Sequence, residues 1–272
     1  MTIGGQALPE GVLVRTPTRW AVAVRRGDGS LHVEMHEGEE RWPRLRRTFL
    51  RGPLALAEAV AIGMRGINVA LREGSGTEVP KDALTMVFVP VAVGVLGLFI
   101  AVPGMLTAGL ADRAADVVEA TARAAMLVIY LLALSRSEQS KRLFGYHGAE
   151  HMAIAAYERH DRLPSVDEAV AESPVHVRCG TDFIALFVIA CGVVFAFVTR
   201  RPVWFGGLLR VALVPAVAAL AYETMRLCAR YPRQPWARLG TWPGRALQRI
   251  TTRRPDDGQL QVALSALGAA LS

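Results

Sequence analysis

The chain has 272 residues, 52% hydrophobic and 20% charged, with a net charge of +7 and a pI of about 9.9. Its mean hydropathy of +0.29, with the apolar residues bunched into long runs, excludes a purely soluble protein. The basic balance leaves nucleic acid, an anionic membrane surface, or the arginine-rich inner loops of a membrane protein, and the placement of the arginines decides between them.

In chain order, residues 1–50 are soluble in character. TRWAVAVRR, then GDGS, then LHVEMHE reads as two short strands around a Gly/Asp turn, supported by the alternation of Trp20, Val22 and Val24. RWPRLRRTFLR (41–51) is a basic run that suits either a solvated face or a membrane-surface segment. Residues 53–71 look helical but carry Glu58, Arg65 and Asn68, so an interfacial or re-entrant helix is expected over the 51–82 region, followed by the loop GSGTEVPKD. A hydrocarbon core about 30 Å thick needs roughly 20 helical residues. Four segments meet or approach this length: 84–109, 114–134, 182–199 and 203–225. Glu119 and Arg123 lie one turn apart in the second and are placed to pair; Arg210 in the fourth is expected to snorkel to the nearer end.

The fold class that follows is mainly α: a polytopic membrane protein with about four transmembrane helices over 83–226, a small N-terminal β-hairpin region and an amphipathic C-terminal helix in the 227–272 tail. That last helix should start at Pro255, Asp256 and Asp257 and place Leu260, Leu264, Leu267 and Leu271 on one face, docked on the protein's own cytoplasmic part. Twelve Lys/Arg precede the first span, six lie in the 135–181 loop and eight follow from Arg226, whereas the two short links hold only Arg113, Arg200 and Arg201. The positive-inside bias therefore puts both termini and the 135–181 loop in the cytoplasm. Topology accounts for the basic pI, and no nucleic-acid partner is expected. Cys179, Cys191 and Cys228 form no disulfide framework, and the N-terminus shows no basic start followed by an apolar stretch, so no cleavable signal peptide is expected. His32, His36 and His160 read as surface residues, and Cys191 and Cys228 as apolar helix packing.

The stretch FGYHGAEHMAIAAYE, in the middle loop, carries the chemistry. On a helix His147 and His151 are one turn apart, about 6 Å along the axis and on one face. With Glu150 between them they spell H-x-x-E-H, in which two imidazoles hold a metal and the glutamate serves as base. A third ligand is required. Glu223 in AYETMR, or the pair His176 and Cys179 in HVRCGTDF, falls on the same predicted membrane side. Glu158 reaches only if the helix tilts over the site. The bland alternatives are a hydrogen-bonded histidine pair, with Glu150 and Glu223 neutralising nearby basic residues.

The blocks GGQALPEGVLVR, RLFGYHGAEH with the YE after it, HVRCGTDF, AYETMR and TWPGRALQRITTRRPDD occur in this order. Together they closely resemble the YqhQ-like family of bacterial integral membrane proteins, from Gly4 to about Leu267. That is a family of unknown function whose members are described as predicted metal-dependent enzymes. The resemblance implies a multi-pass protein of the bacterial inner membrane. It puts His147, Glu150 and His151 on the family's histidine–glutamate motif, His176 and Cys179 on its histidine–cysteine block, Glu223 on its tyrosine–glutamate block, and Gln6, Glu10 and Arg15 on the N-terminal block. Met152 stands where a lysine is expected, and Val177 where a proline is.

The leading expectation is a metalloenzyme facing the cytoplasm. His147, His151 and either Glu223 or His176/Cys179 would hold a divalent metal, zinc by preference. Glu150 would act as general base and Arg178 would hold an anionic group of a small-molecule, lipid or peptide substrate. A metal-stabilised scaffold that binds a ligand or partner is the second reading, and a transporter the last; membrane lipids, and a second copy of the chain, are the other partners considered.

Overall fold

The computed structural model describes residues 3–38, 48, 51–75, 83–107, 109–110, 112–176, 179–198 and 203–272. The chain opens with a four-stranded antiparallel sheet in sequential order, β1 (Gly4–Leu8), β2 (Gly11–Arg15), β3 (Arg19–Arg25) and β4 (Leu31–Glu37). The predicted hairpin is β3–β4, with Arg25 opposite Leu31. Its partner hairpin β1–β2 is a correction: Pro9 and Glu10 make a tight turn in which Glu10 takes a left-handed φ of 55°. GVLVR shows no apolar/polar alternation because both faces of the sheet are covered. Val12, Val14, Ala21 and Ala23 pack on one side, against the helix that carries His147 and His151 and against the C-terminal helix. Leu8, Leu13, Trp20, Val22 and Val24 pack on the other, against Val69 and Ala70 of α1 (Arg51–Ser75). His36 is not a free surface residue, since it stacks on Trp20 with ring centroids 3.9 Å apart. The basic run 41–51 lies outside the described residues except for Thr48 and Arg51.

Among the described residues, four helices are long and apolar enough to cross a membrane: α1, α2 (Ala83–Leu106), α3 (Asp112–Leu134) and α7 (Val203–Arg230). The helix α6 (Gly180–Phe195) is equally apolar but has only 16 residues. The four predicted segments reappear as the helices α2, α3, α6 and α7, but α6 is shorter than a full span, and α1, expected to be interfacial or re-entrant, is long and apolar enough to cross. Exposed apolar side chains cover α2, where Met86 is 75% exposed, more apolar surface than a soluble face carries. α1 is tied elsewhere. Gly52 in its first turn lies against Tyr222 of α7, and Gly66 near its far end lies against Leu8 and Leu13 of the sheet.

Glu119 and Arg123 do pair, at 2.8 Å and both almost fully buried. Arg210 corrects the snorkelling expectation. It is buried, 3.3 Å from Glu119, because a carboxylate inside the bundle offers it a partner that the lipid end does not. Both guanidinium groups also lie over the Phe195 ring, at 5.3 and 5.8 Å.

The 135–181 stretch is mostly helical rather than loop: α4 (Glu138–His160) and the short α5 (Val166–Val170). Ser137 caps the start of α4 by accepting from the Ser140 amide, and Asp161 ends it in the left-handed region. The tail forms α8 (Pro235–Thr251) and α9 (Asp257–Leu271). Asp256 caps α9 in a reciprocal box with Gln259, and Leu260, Leu264 and Leu267 bury against the sheet and α4.

Candidate metal centre

The centre forms where α4, the start of α6 and the end of α8 meet. The apolar positions of α4, including Tyr146, Ala149, Met152, Ala153 and Ala156, bury against the sheet and α9. Met152 is 1% exposed, so this core has no room for a lysine charge at that position. Gly148 lets the chain after α8 lie directly on α4: a Cβ there would collide with the Arg253 carbonyl oxygen. That close approach delivers the Thr251 carbonyl to His147.

Both imidazoles are oriented by backbone. His147 Nδ1 lies 2.8 Å from the Thr251 carbonyl and His151 Nδ1 lies 2.6 Å from the Pro174 carbonyl. A carbonyl can only accept, so each Nδ1 carries the proton and each Nε2 keeps a free lone pair. His147 Nε2 then lies 3.2 Å from Cys179 Sγ. The rings of His147 and His151 are 4.4 Å apart between centroids. One ligand atom from each of His147, His151 and Cys179 falls within 4.8 Å of the other two. Cys179 is the N-cap of α6, its sulfur accepting from the Thr181 amide at 3.3 Å. Histidine with its other nitrogen on a backbone carbonyl is the usual outer-shell arrangement of a metal ligand.

Burial sets the protonation states. It lowers His147, with the Thr251 hydrogen bond opposing, and lowers His151 to about 3, helped by the neighbouring His147 and His176. It pushes Cys179 up to about 12, against the Thr181 hydrogen bonds. Two neutral imidazoles and a thiol therefore face one another at neutral pH. Glu150, raised to about 8 by burial, has Oε2 3.7 Å from His151 Nε2. β1 runs directly over it: a Cβ on Gly5 would come within 2.5 Å of Glu150 Oε1.

The other predicted residues fall as follows. His176 is adjacent, its ring 5.8 Å from that of His151, but its Nε2 is 3.2 Å from Glu158 Oε2 and it is not one of the three converging groups. Glu223 stands apart from them, held through both carboxylate oxygens by Arg51. Arg178 and Val177 lie outside the described residues. Gln6, Glu10 and Arg15 tie the sheet to its neighbours: Gln6 to the Ala59 carbonyl (3.0 Å), Glu10 to Arg142 (2.8 Å) and Arg15 to Glu58 (2.5 Å). Sequence reasoning missed the Thr251 and Pro174 carbonyls, which have no side-chain signal. It also gave no role to Gln248, which clamps the His176 backbone through its amide and carbonyl, each at 2.9 Å, and reaches Asp182 at 2.8 Å.

The donor set fits a divalent ion of borderline softness. Two neutral imidazole nitrogens and one sulfur are three ligands of a tetrahedral zinc site, with one position open. Comparison with known proteins gives a match to the family model described as "Protein of unknown function (DUF1385)" over residues 48–272. The chain is also similar to the uncharacterized protein YqhQ of Bacillus subtilis (strain 168), at 31% identity over 295 aligned residues, covering 98% of this chain and 92% of that one. No solved structure matches.

Proposed function

The chain belongs to the DUF1385 family, and from that premise we propose that it is a metal-dependent hydrolase embedded in the bacterial inner membrane. One observation carries this reading: both Nδ1 atoms are committed to backbone carbonyls, while one ligand atom from each histidine and a thiol converge within 4.8 Å, with His147 Nε2 at 3.2 Å from the sulfur. His147, His151 and Cys179 would hold the ion, zinc by the chemistry of the donors. When bound, the ion supplies Lewis-acid polarisation of a carbonyl or phosphoryl oxygen. Burial favours the protonated form of Glu150 beside His151, and the group gives up its proton more readily as positive charge gathers there.

The arginine distribution supports a cytoplasmic placement of the centre and of both termini. α1 begins against the end of α7 near Glu223 and finishes beneath the sheet, which also packs on α4. On this reading its two ends share a side, and the crossings are assigned to α2, α3, α6 and α7.

A second reading, a non-catalytic scaffold cross-linked by its metal, is favoured by the burial of the ligands: His151 is 2% and Cys179 5% exposed. Elemental analysis of purified protein tests the shared premise. We expect about one zinc per chain, lost in the His147→Ala/His151→Ala double variant, and a metal-free wild type ends both readings. Glu150→Gln then separates them. An enzyme keeps its metal in this variant but fails to complement a chromosomal deletion, whereas a scaffold keeps its metal and complements.

A further inference from the structure

The wall of α6 continues from the candidate centre into the apolar bundle. Thr181 Oγ1 lies 3.4 Å from Cys179 Sγ and 3.3 Å from Thr251 Oγ1, so this side chain touches the centre itself. Ile184, Val188, Cys191 and Phe195 follow Thr181 at three- and four-residue spacings, which places all five on one helical face. These four, with Leu127 and Tyr130 of α3, line a groove of about 290 Å³ that α2 helps to close. From Ile184 to Phe195 it runs about 16 Å along the helix axis, and its near end lies about 7 Å beyond Cys179. Its floor is buried, with Leu127 at 9% and Phe195 at 2% exposure. Its mouth is open at Tyr130 and Ile184, 59% and 44% exposed. Arg123 closes the far end with its guanidinium engaged by Glu119 and the Phe99 carbonyl, leaving apolar walls.

We propose that this groove holds the hydrocarbon chain of a phospholipid whose head group is presented to His147, His151 and Cys179, so that the substrate class of the site is an acyl lipid and not a peptide. The assignment rests on the metal-centre reading above. Its physical basis is that a slot with apolar walls, between helices of membrane-spanning character, is surrounded by hydrocarbon, and a chain is the shape that fills it. The stripe from Thr181 to Phe195 sets the orientation, with the polar end at the centre and the methyl end at Phe195. Near the mouth, Tyr130 has the amphipathic character of residues found at head-group level.

Photo-crosslinking tests this on the full-length protein reconstituted in phosphatidylglycerol vesicles. Two phospholipid probes are used, one with a diazirine near the acyl carboxyl and one with it near the terminal methyl. The first should label the segment around Tyr130 and Ile184, and the second the segment around Cys191 and Phe195, both competed by excess unlabelled phospholipid. Val188→Trp narrows the slot and should lower groove labelling roughly tenfold, while labelling of the exposed α2 residue Met86 is unchanged. Should that variant not fold, Ile184→Trp at the open mouth replaces it. Labelling of α6 that matches Met86, ignores competition or shows no segregation of the two probes overturns the proposal and leaves a bilayer annulus only. Metal content of the same samples keeps the two readings apart. His147→Ala/His151→Ala should lose metal and keep segregated labelling, and metal present without groove labelling removes the lipid and leaves the centre standing.

Discussion

Glu150 is the residue whose environment most contradicts its chemistry. A carboxyl group ordinarily ionises near 4.5, yet burial beneath β1 raises this one to about 8. The folded state thus keeps a proton that the unfolded chain releases, so its contribution to stability is complete below pH 4.5 and is lost as pH rises toward 8. His151 works the other way. Its folded value of about 3 lies below 6.5, so its contribution is complete above pH 6.5 and disappears as pH falls toward 3. For metal-free protein in detergent, thermal midpoints should fall on both flanks. Glu150→Gln should abolish the decline between pH 4.5 and 8 and leave the acid limb in place; an unchanged slope up to pH 8 would sink the assignment. His147, Glu150 and His151 were legible in the sequence because their spacing is local. The partner of Glu223 was not. Arg51 lies 172 positions away, and nothing in AYETMR distinguishes an ion pair from a metal ligand.

At the scale of elements, α3, α6 and α7 are joined by charge inside an apolar bundle. Glu119 faces Arg123 at 2.8 Å and Arg210 at 3.3 Å, and Phe195 lies beneath both guanidinium groups. Glu119→Leu would strand two buried cations. Losing one partner of a buried pair typically costs about 3–5 kcal/mol, so the variant should unfold in detergent under conditions the wild type survives. A loss below about 1 kcal/mol, the level of a surface pair, would show that the cluster does not hold α3 to α7. The sequence placed these helices within a few residues because length and hydropathy are properties of the segment itself. It paired Glu119 with Arg123 by the same local rule. It sent Arg210 to solvent because the carboxylate that keeps it inside comes from another helix. β1–β2 was missed for a related reason: a strand covered on both faces has no alternation to read.

Across the whole molecule, the candidate centre is where the sheet-bearing half meets the bundle. His147 and His151 belong to α4, packed on the sheet and α9, while Cys179 opens α6 and Thr251 ends α8. An ion there would lock the two halves together. Stabilisation by a ligand that binds only the folded state grows as its concentration over Kd, about 2.7 kcal/mol at a hundredfold excess. A chelator should therefore lower the unfolding midpoint of wild-type protein, added zinc should restore it, and His147→Ala/His151→Ala should respond to neither. A wild-type midpoint indifferent to both additions would remove the metal from this junction.

The sequence by itself determined the apolar helices, the capped C-terminal helix and a histidine–glutamate motif at helical spacing, since each is written in neighbouring residues and obeys short-range periodicity. Only the tertiary structure decided which distant groups lie beside the motif. It set Cys179 beside His147, two backbone carbonyls on the histidines and Arg51 on Glu223, because those meetings depend on how helices pack, and packing is a property of surfaces far apart in the chain.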